Sequence, residues 1–189
     1  WDTMGMRATG SHTVVLDDVF VPDAAVSLTR AAGVWHPVWN IVMGVAMPLI
    51  VATYVGVAEE AVARAMQFAM RRRDAETTAI VVGRMLNHLH AAQDATGVMV
   101  TMAQDLQFDN TDAHAAAVLS RKAVATEHLV AAVRLAMEAA GGAGYSVGAG
   151  IERMFRDVHG VLYHPLPSAK QELFSGRVAL GLDPHTGRA

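Results

Sequence analysis

The beginning of this chain has an alternating pattern of hydrophobic and polar residues. The segment TVVLDDVFV, residues 13–21, has a turn-prone Asp17-Asp18 pair at its centre, and Pro22 closes it. Val15, Val19 and Val21 share one parity with Asp17, while Leu16 and Phe20 take the other. This pattern predicts one or two short β-strands. Nothing later in the sequence resembles a sheet that could pair with them, so we expect the chain to be part of a larger protein.

The pattern changes to a helical one at about Asn40, where apolar positions begin to recur every three or four residues. The first predicted helix ends near Arg73 and is entered or kinked near Pro48. A second helix begins with Asp74 as its N-cap residue and extends to about Gln107. Its apolar stripe has steps of three and four: Val82, Met85, Leu89 and Ala92.

A turn rich in capping residues, 108–112, precedes a third helix that ends at Gly141-Gly142. Glycine often ends a helix because it adopts left-handed backbone angles without strain. A glycine-rich loop over 141–150, a shorter helix and a final helix to about Leu182 follow. Three helices of about 30 residues with tight turns predict a mostly α fold, an antiparallel up-and-down helix bundle.

Composition narrows the class of protein. Hydrophobic residues make up 52% and charged residues 17%, which excludes a disordered chain. A net charge of −3 provides no basic surface, so we expect no nucleic-acid partner. The absence of cysteine excludes disulfides and thiolate metal sites and is consistent with a reducing compartment, so we expect a cytoplasmic protein.

One uncharged stretch, residues 41–58, reaches the length of a short membrane-spanning helix. It contains Gly44, Pro48 and Gly56 and continues directly into the acidic Glu59-Glu60 pair. A helix that is apolar on all sides also suits the centre of a bundle, so we expect no membrane span.

The histidines and the glycine-rich loop raise two further possibilities, a metal site and a dinucleotide-binding site. His88 and His90 are two residues apart and point to different faces of a helix, and His159 and His164 have no evident third ligand. We therefore predict no metal site. The glycine-rich loop follows a long helix, whereas a dinucleotide-binding fingerprint follows a strand, so a Rossmann site is excluded.

Several segments together carry a family resemblance. Residues 1–22, WDTMGMRATGSHTVVLDDVFVP, resemble the closing strands of the middle β-domain of the acyl-CoA dehydrogenase family of flavoproteins. Residues 47–72 resemble the first long helix of that family's C-terminal bundle, and residues 122–158 resemble its third helix, glycine turn and Arg-Asp helix. The resemblance implies that residues 1–35 are the end of a β-domain and a linker, and that residues 36–189 are the C-terminal helical domain. It also implies roughly the C-terminal half of a longer enzyme.

The resemblance further implies an FAD cofactor, a homo-oligomer such as a dimer of dimers, and an acyl-CoA substrate of fatty acid metabolism. The positions that match the family's FAD contacts are Arg72, Glu138, Gly141, Gly142 and Gln171. A guanidinium suits a pyrophosphate because its forked donors bind two oxygens at once. The chain departs from the family's pattern where a usual Phe-Gly is Ala75-Glu76, and where a later glutamine falls near Gly83.

The catalytic base expected from the family is missing. Dehydrogenation needs a carboxylate that removes the α-proton, but the matching positions hold Pro165 or Pro167, and a variant position falls near Ala46. Glu172 is near in sequence and is expected to face elsewhere. His164, in contrast, matches a histidine of the family's monooxygenase branch, which uses reduced flavin and oxygen, and an imidazole exchanges protons near neutral pH.

Three functional hypotheses therefore remain open. The first is FAD-dependent α,β-dehydrogenation of an acyl-CoA thioester by a larger enzyme that contains this chain. The second is flavin-dependent monooxygenation on the same fold, with His164 as the candidate catalytic residue. The third is a non-catalytic oligomerisation bundle. Arg153, Arg156 and Asp157 are expected to serve packing and ion pairing.

Overall fold

The structure, a computed structural model that describes residues 1–189, consists of helices joined by short turns. The six α-helices are α1 (Val38–Ala69), α2 (Glu76–Met102), α3 (Asp112–Ala140), α4 (Gly142–Tyr145), α5 (Ile151–Val158) and α6 (Ser168–Ala179). Short 3-10 helices extend α1 at Met70–Arg72 and α5 at His159–Leu162. The predicted mostly α fold is confirmed.

The long helices α1, α2 and α3 lie side by side and form one hydrophobic core. The first turn of α1 contacts the first turn of α3, since Asn40 Nδ2 donates to Asp112 Oδ1 at 2.7 Å. The far ends of the same helices meet where Arg72 Nη2 donates to Ala139 O at 2.7 Å. α1 and α3 therefore run in the same direction, and α2, which lies between them in the sequence, runs in the opposite direction. This confirms the predicted up-and-down order.

The predicted N-terminal strands do not form. The structure contains no β-strand, and the apolar side chains of residues 14–21 are exposed. A strand is stabilised by hydrogen bonds to a neighbouring strand, and residues 1–189 provide no second strand. The β part of the predicted fold is therefore wrong for this chain, and the proposed domain boundary at residues 35 and 36 stays a prediction.

The helix ends also differ from their predicted positions. Ala75, and not Asp74, is the N-cap residue of α2, and no side chain caps that end. α2 ends at Met102 because Gln104, Asp105 and Leu106 all have positive φ, which a continuing right-handed helix excludes. The predicted end of α3 is confirmed: Gly141 has φ 64° and ψ −144°.

α1 is long and apolar enough, by length and composition alone, to cross a membrane. It begins ten residues before Pro48 and continues through it. The core helix of a soluble protein passes the same test. One face of α1 is buried against the rest of the bundle, and Met47, Val51, Tyr54 and Ala58 on this face are almost fully enclosed.

Candidate functional site

A cavity of about 630 Å³ lies where the N-terminal segment crosses α5 and the turn that follows it. This volume is within the range of sites that bind small molecules. Its walls come from the first eleven residues, from α1, and from residues 156–164. The lining side chains and glycines that matter for chemistry are Met6, Tyr54, Arg156, Gly160, Tyr163 and His164.

The N-terminal segment is fastened to α5 by two neighbouring side chains. Asp157 Oδ1 accepts a hydrogen bond from the Met6 amide at 2.6 Å. Arg156 Nη1 donates to the Met4 carbonyl at 3.1 Å, while the same guanidinium makes a two-pronged contact with Glu152 at 2.9 and 3.2 Å. The ion-pair role expected for Arg156 is thus confirmed, and the pair also holds one wall of the cavity.

His164 lies in the cavity and is joined to Tyr54 of α1. The Tyr54 hydroxyl and His164 Nδ1 are 2.7 Å apart. Tyr54 is fully buried and forms no other side-chain hydrogen bond, so we expect its hydroxyl to donate to Nδ1. With Tyr54 as the donor, the neutral imidazole carries its hydrogen on Nε2, which has no hydrogen-bond partner within the protein and is not sealed from solvent.

Gly160 permits this arrangement by its lack of a side chain. A Cβ at this position would lie 2.6 Å from the Tyr54 hydroxyl and 3.1 Å from Met6 Cγ. Any larger residue would push the turn off the phenol ring. The backbone at Gly160 therefore lies close to Tyr54, and this places the imidazole of His164 against α1.

A buried lysine holds the same turn from the other side. Lys122 of α3 is only 1% exposed, and its Nζ donates to the carbonyls of Val161, His164 and Leu166 at 3.1, 3.2 and 3.0 Å. A protonated amine has three N–H donors, which matches these three acceptors. Lys122 thus fixes the backbone of His164.

The surroundings set the protonation of the three groups. Burial first, and the charge of Lys122 second, lower the pKa of His164 from 6.5. Burial, followed by the charge of Asp157, raises the pKa of Tyr54 to about 12. Burial also lowers the pKa of Lys122 from 10.5. At neutral pH the cavity therefore presents a neutral imidazole backed by a protonated phenol.

Three of the predicted cofactor residues lie at a corner formed by the ends of α1 and α3, which we call the glycine corner: Arg72, Gly141 and Gly142. The Arg72 guanidinium bonds the Ala139 carbonyl and lies within 3.2 to 3.4 Å of the position of a Cβ on Gly141. A Cβ on Gly142 would meet no atom within 4 Å. The corner is thus open and carries a cation, and this combination fits a phosphate group.

The remaining predicted residues lie elsewhere. Glu138 is half exposed and pairs with Arg134 at 3.4 Å. Gln171 is buried in α6, where its Nε2 donates to Ser175 Oγ at 2.9 Å, and no hydrogen bond joins it to the glycine corner. Glu172 is exposed on α6, as expected. No Asp or Glu lines the cavity.

A histidine pair lies outside both places. His88 Nδ1 on α2 is 2.8 Å from His128 Nδ1 on α3. Burial, then the charges of His128 and Arg134, lower the pKa of His88. No group of three or more His, Asp or Glu side chains is arranged to hold a metal ion.

Tyr54 and Lys122 were not identified from the sequence. Tyr54 lies within an uncharged apolar stretch, where a phenol resembles one more core side chain. The sequence does indicate that Lys122 is unusual. It is one of two lysines in the chain and follows Val118 and Leu119 at helical spacing on the apolar stripe of α3. A charge at a core position indicates a specific partner.

Comparison with protein families gives one clear match. The model of the acyl-CoA dehydrogenase C-terminal domain matches residues 44–168. The amino sugar nitrososynthase DnmZ of Streptomyces peucetius is 31% identical over 191 residues, which cover 96% of this chain and 47% of DnmZ. A pigment production hydroxylase of Rhodococcus erythropolis is 25% identical, with coverages of 97% and 52%. The chain spans about half the length of the curated relatives it matches.

Solved structures show the same fold. XiaF from Streptomyces sp., in complex with FADH2 and glycerol, superposes with a TM-score of 0.78 at 24% identity, covering 97% of this chain and 52% of XiaF. The HsaA monooxygenase from M. tuberculosis superposes with a TM-score of 0.75 at 24% identity, covering 99% of this chain and 54% of HsaA.

Proposed function

The chain belongs to the acyl-CoA dehydrogenase family, and from that premise we propose that it forms part of a flavin-dependent monooxygenase. The observation that carries this proposal is the cavity at His164, which combines an imidazole with a phenol and has no lining carboxylate. α,β-Dehydrogenation needs a carboxylate or comparable base at the substrate α-carbon. The names of the hydroxylase and of HsaA agree with monooxygenation.

The proposed cofactor is FAD, held in part by the glycine corner. Arg72 offers guanidinium donors beyond the one used by Ala139; Gly141 lets the guanidinium approach the backbone closely, and Gly142 leaves open space next to it. XiaF, which shares the fold, is described with FADH2. When bound, reduced flavin supplies two electrons, so that one atom of O2 enters the substrate and the other leaves as water.

The role proposed for His164 is proton exchange with a ligand in the cavity. Tyr54 occupies Nδ1, so Nε2 is the nitrogen available to the ligand. Its neutral form can donate the Nε2 hydrogen or, after tautomer change, accept a proton near neutral pH. Residues 1–11 and 156–164 form the cavity walls around the imidazole.

A test of activity compares the wild type with His164→Ala in the whole protein, supplied with FAD, a flavin reductase and oxygen. We expect substrate-dependent oxygenation in the wild type and a loss of about 100-fold or more in the variant. FAD affinity should be unchanged, since His164 is remote from the glycine corner. An undiminished oxygenation rate in the variant would remove the proposed role.

Acyl-CoA dehydrogenation is tested on the same material. Anaerobic bleaching of bound FAD by acyl-CoA thioesters of several chain lengths would support it and would contradict the monooxygenase proposal. A protein that neither binds FAD nor bleaches, and only assembles into oligomers, would favour the third hypothesis, a non-catalytic bundle.

We also propose that the glycine corner of one subunit serves the flavin of another subunit in a homo-oligomer. Lys122 of α3 holds the turn that carries His164, and Gly141 follows the last residue of the same helix. The two are 19 positions apart. At a rise of 1.5 Å per residue this corresponds to about 28 Å, so the cavity and the corner are well separated.

Mixing two inactive variants tests this arrangement. Arg72→Met should weaken FAD binding, and Arg73→Met, an exposed neighbour, is the matched control. Co-assembly of the Arg72→Met and His164→Ala chains should restore part of the activity, because some sites then combine an intact corner with an intact cavity. No restoration in mixed oligomers would show that each chain serves its own flavin.

A further inference from the structure

Lys122 is a buried charge for which hydrophobic packing gives no reason. It lies on α3 at 1% exposure, with Val118, Leu119 and Ala125 of the core as neighbours on the helix. The only other lysine, Lys170, is exposed. A charge removed from water is costly unless hydrogen bonds compensate it.

The compensation comes from a single turn. All three carbonyl partners of the Lys122 ammonium, at 3.0 to 3.2 Å, belong to residues 161–166. One of them is the carbonyl of His164 itself. A methionine or leucine would fill the same space in the core, but it would not orient three carbonyls of one turn at once.

We propose that Lys122 is a positioning residue for His164: its ammonium pins the 161–166 turn so that the imidazole meets Tyr54 through Nδ1 and keeps Nε2 for the ligand in the cavity. The inference rests on the proposed function only for its kinetic consequence. The geometry itself requires neither flavin nor oxygen.

The same charge also acts on the imidazole through space. The titratable or charged groups that face His164 come from several elements: Tyr54 of α1 and Lys122 of α3 contact it directly, and Arg156 of α5 with His159 and Tyr163 of the following turn line the same cavity. Among these, the charge of Lys122 lowers the pKa of His164, in addition to burial. Removal of this charge should therefore raise the pKa of His164.

The direct test is nuclear magnetic resonance of the full chain with 15N-labelled histidine. In the wild type we expect His164 to titrate below 6.5 and to populate the Nε2–H tautomer alone. In Lys122→Met we expect a higher pKa and a mixture of tautomers. Lys170→Met, the matched control, should titrate as the wild type does. A folded Lys122→Met protein with an unchanged pKa and tautomer would overturn the proposal.

A measurement on the wild type keeps the proposal testable if Lys122→Met does not fold. With 15N-labelled lysine the chain gives two ammonium signals, because it contains two lysines. We expect the Lys122 signal to show slow hydrogen exchange with water and a pKa below 10.5. Two ammonium signals that both exchange rapidly would refute the pinned turn.

Activity then separates the two proposals. If His164 acts in oxygenation, Lys122→Met should lower turnover about tenfold or more and move the acid limb of the pH–rate profile to higher pH. The acid limb moves to higher pH because the neutral imidazole is the active form and the variant raises its pKa. If the resonance measurements give the expected results but the wild-type protein shows no oxygenation, the proposed function is contradicted and the role of Lys122 still holds.

Discussion

The residue Gly141 offers a quantitative test of the glycine corner. Its φ of 64° and ψ of −144° lie in a region that residues with a Cβ rarely adopt. In Gly141→Ala, the new Cβ would also lie 3.2 Å from Arg72 Nη2, so the guanidinium, which bonds the Ala139 carbonyl, must move by a few tenths of an ångström. Backbone strain of this kind costs about 1–3 kcal/mol.

For a chain of this size, such a cost corresponds to a fall in Tm of about 2–12 °C, since 1 kcal/mol shifts Tm by about 2–4 °C. Thermal unfolding followed by circular dichroism measures it. Gly142→Ala is the matched control, because φ is not positive there and its Cβ would meet no atom within 4 Å. The control should leave stability unchanged or raise it by up to about 1 kcal/mol. Equal stability of the two variants would refute the strain at Gly141.

Two further results are expected. Leu129→Ala, in the fully buried centre of α3, should lower the free energy of unfolding by about 2–5 kcal/mol in urea titrations. Leu180→Ala, at an exposed site, should change it by less than about 0.5 kcal/mol. A small effect at Leu129 would contradict the packing of α3. Stability should also fall as the pH drops below about 6.5, because His88 and His164 have lowered pKa values in the folded chain and the unfolded chain takes up protons first. Exchanging both histidines for glutamine should flatten this dependence, and an equal slope in the double variant would count against it.

Periodicity was sufficient to predict the helices but not all their ends. α1 and α3 have long apolar stripes, and Gly141 ends α3 as its lack of a Cβ suggests. The N-cap at Asp74 was wrong, because the chain reaches helical geometry one residue later and no side chain caps it. The alternation in residues 13–21 predicts a strand, but none forms because the chain contains no partner strand.

The candidate site was only partly predictable for a related reason. His164 was found because its position matches a family pattern, and Arg72 and Gly141 were found in the same way. Tyr54 and Lys122 act through contacts that span 110 and 42 residues. Such contacts depend on how helices pack against one another, and periodicity along one helix carries no information about the partner across the bundle.

The fastening of the N-terminal segment to α5 has a consequence for the order in which the molecule assembles. Met6 and Asp157 are 151 positions apart, and a contact at such a separation carries a large loop-closure cost. The three long helices can collapse before it forms, so we expect the cavity wall to be completed late in folding. The same wall should open first in native-state hydrogen exchange, at a free energy below that of global unfolding. Such a local opening would widen access to His164 and leave the helical core intact.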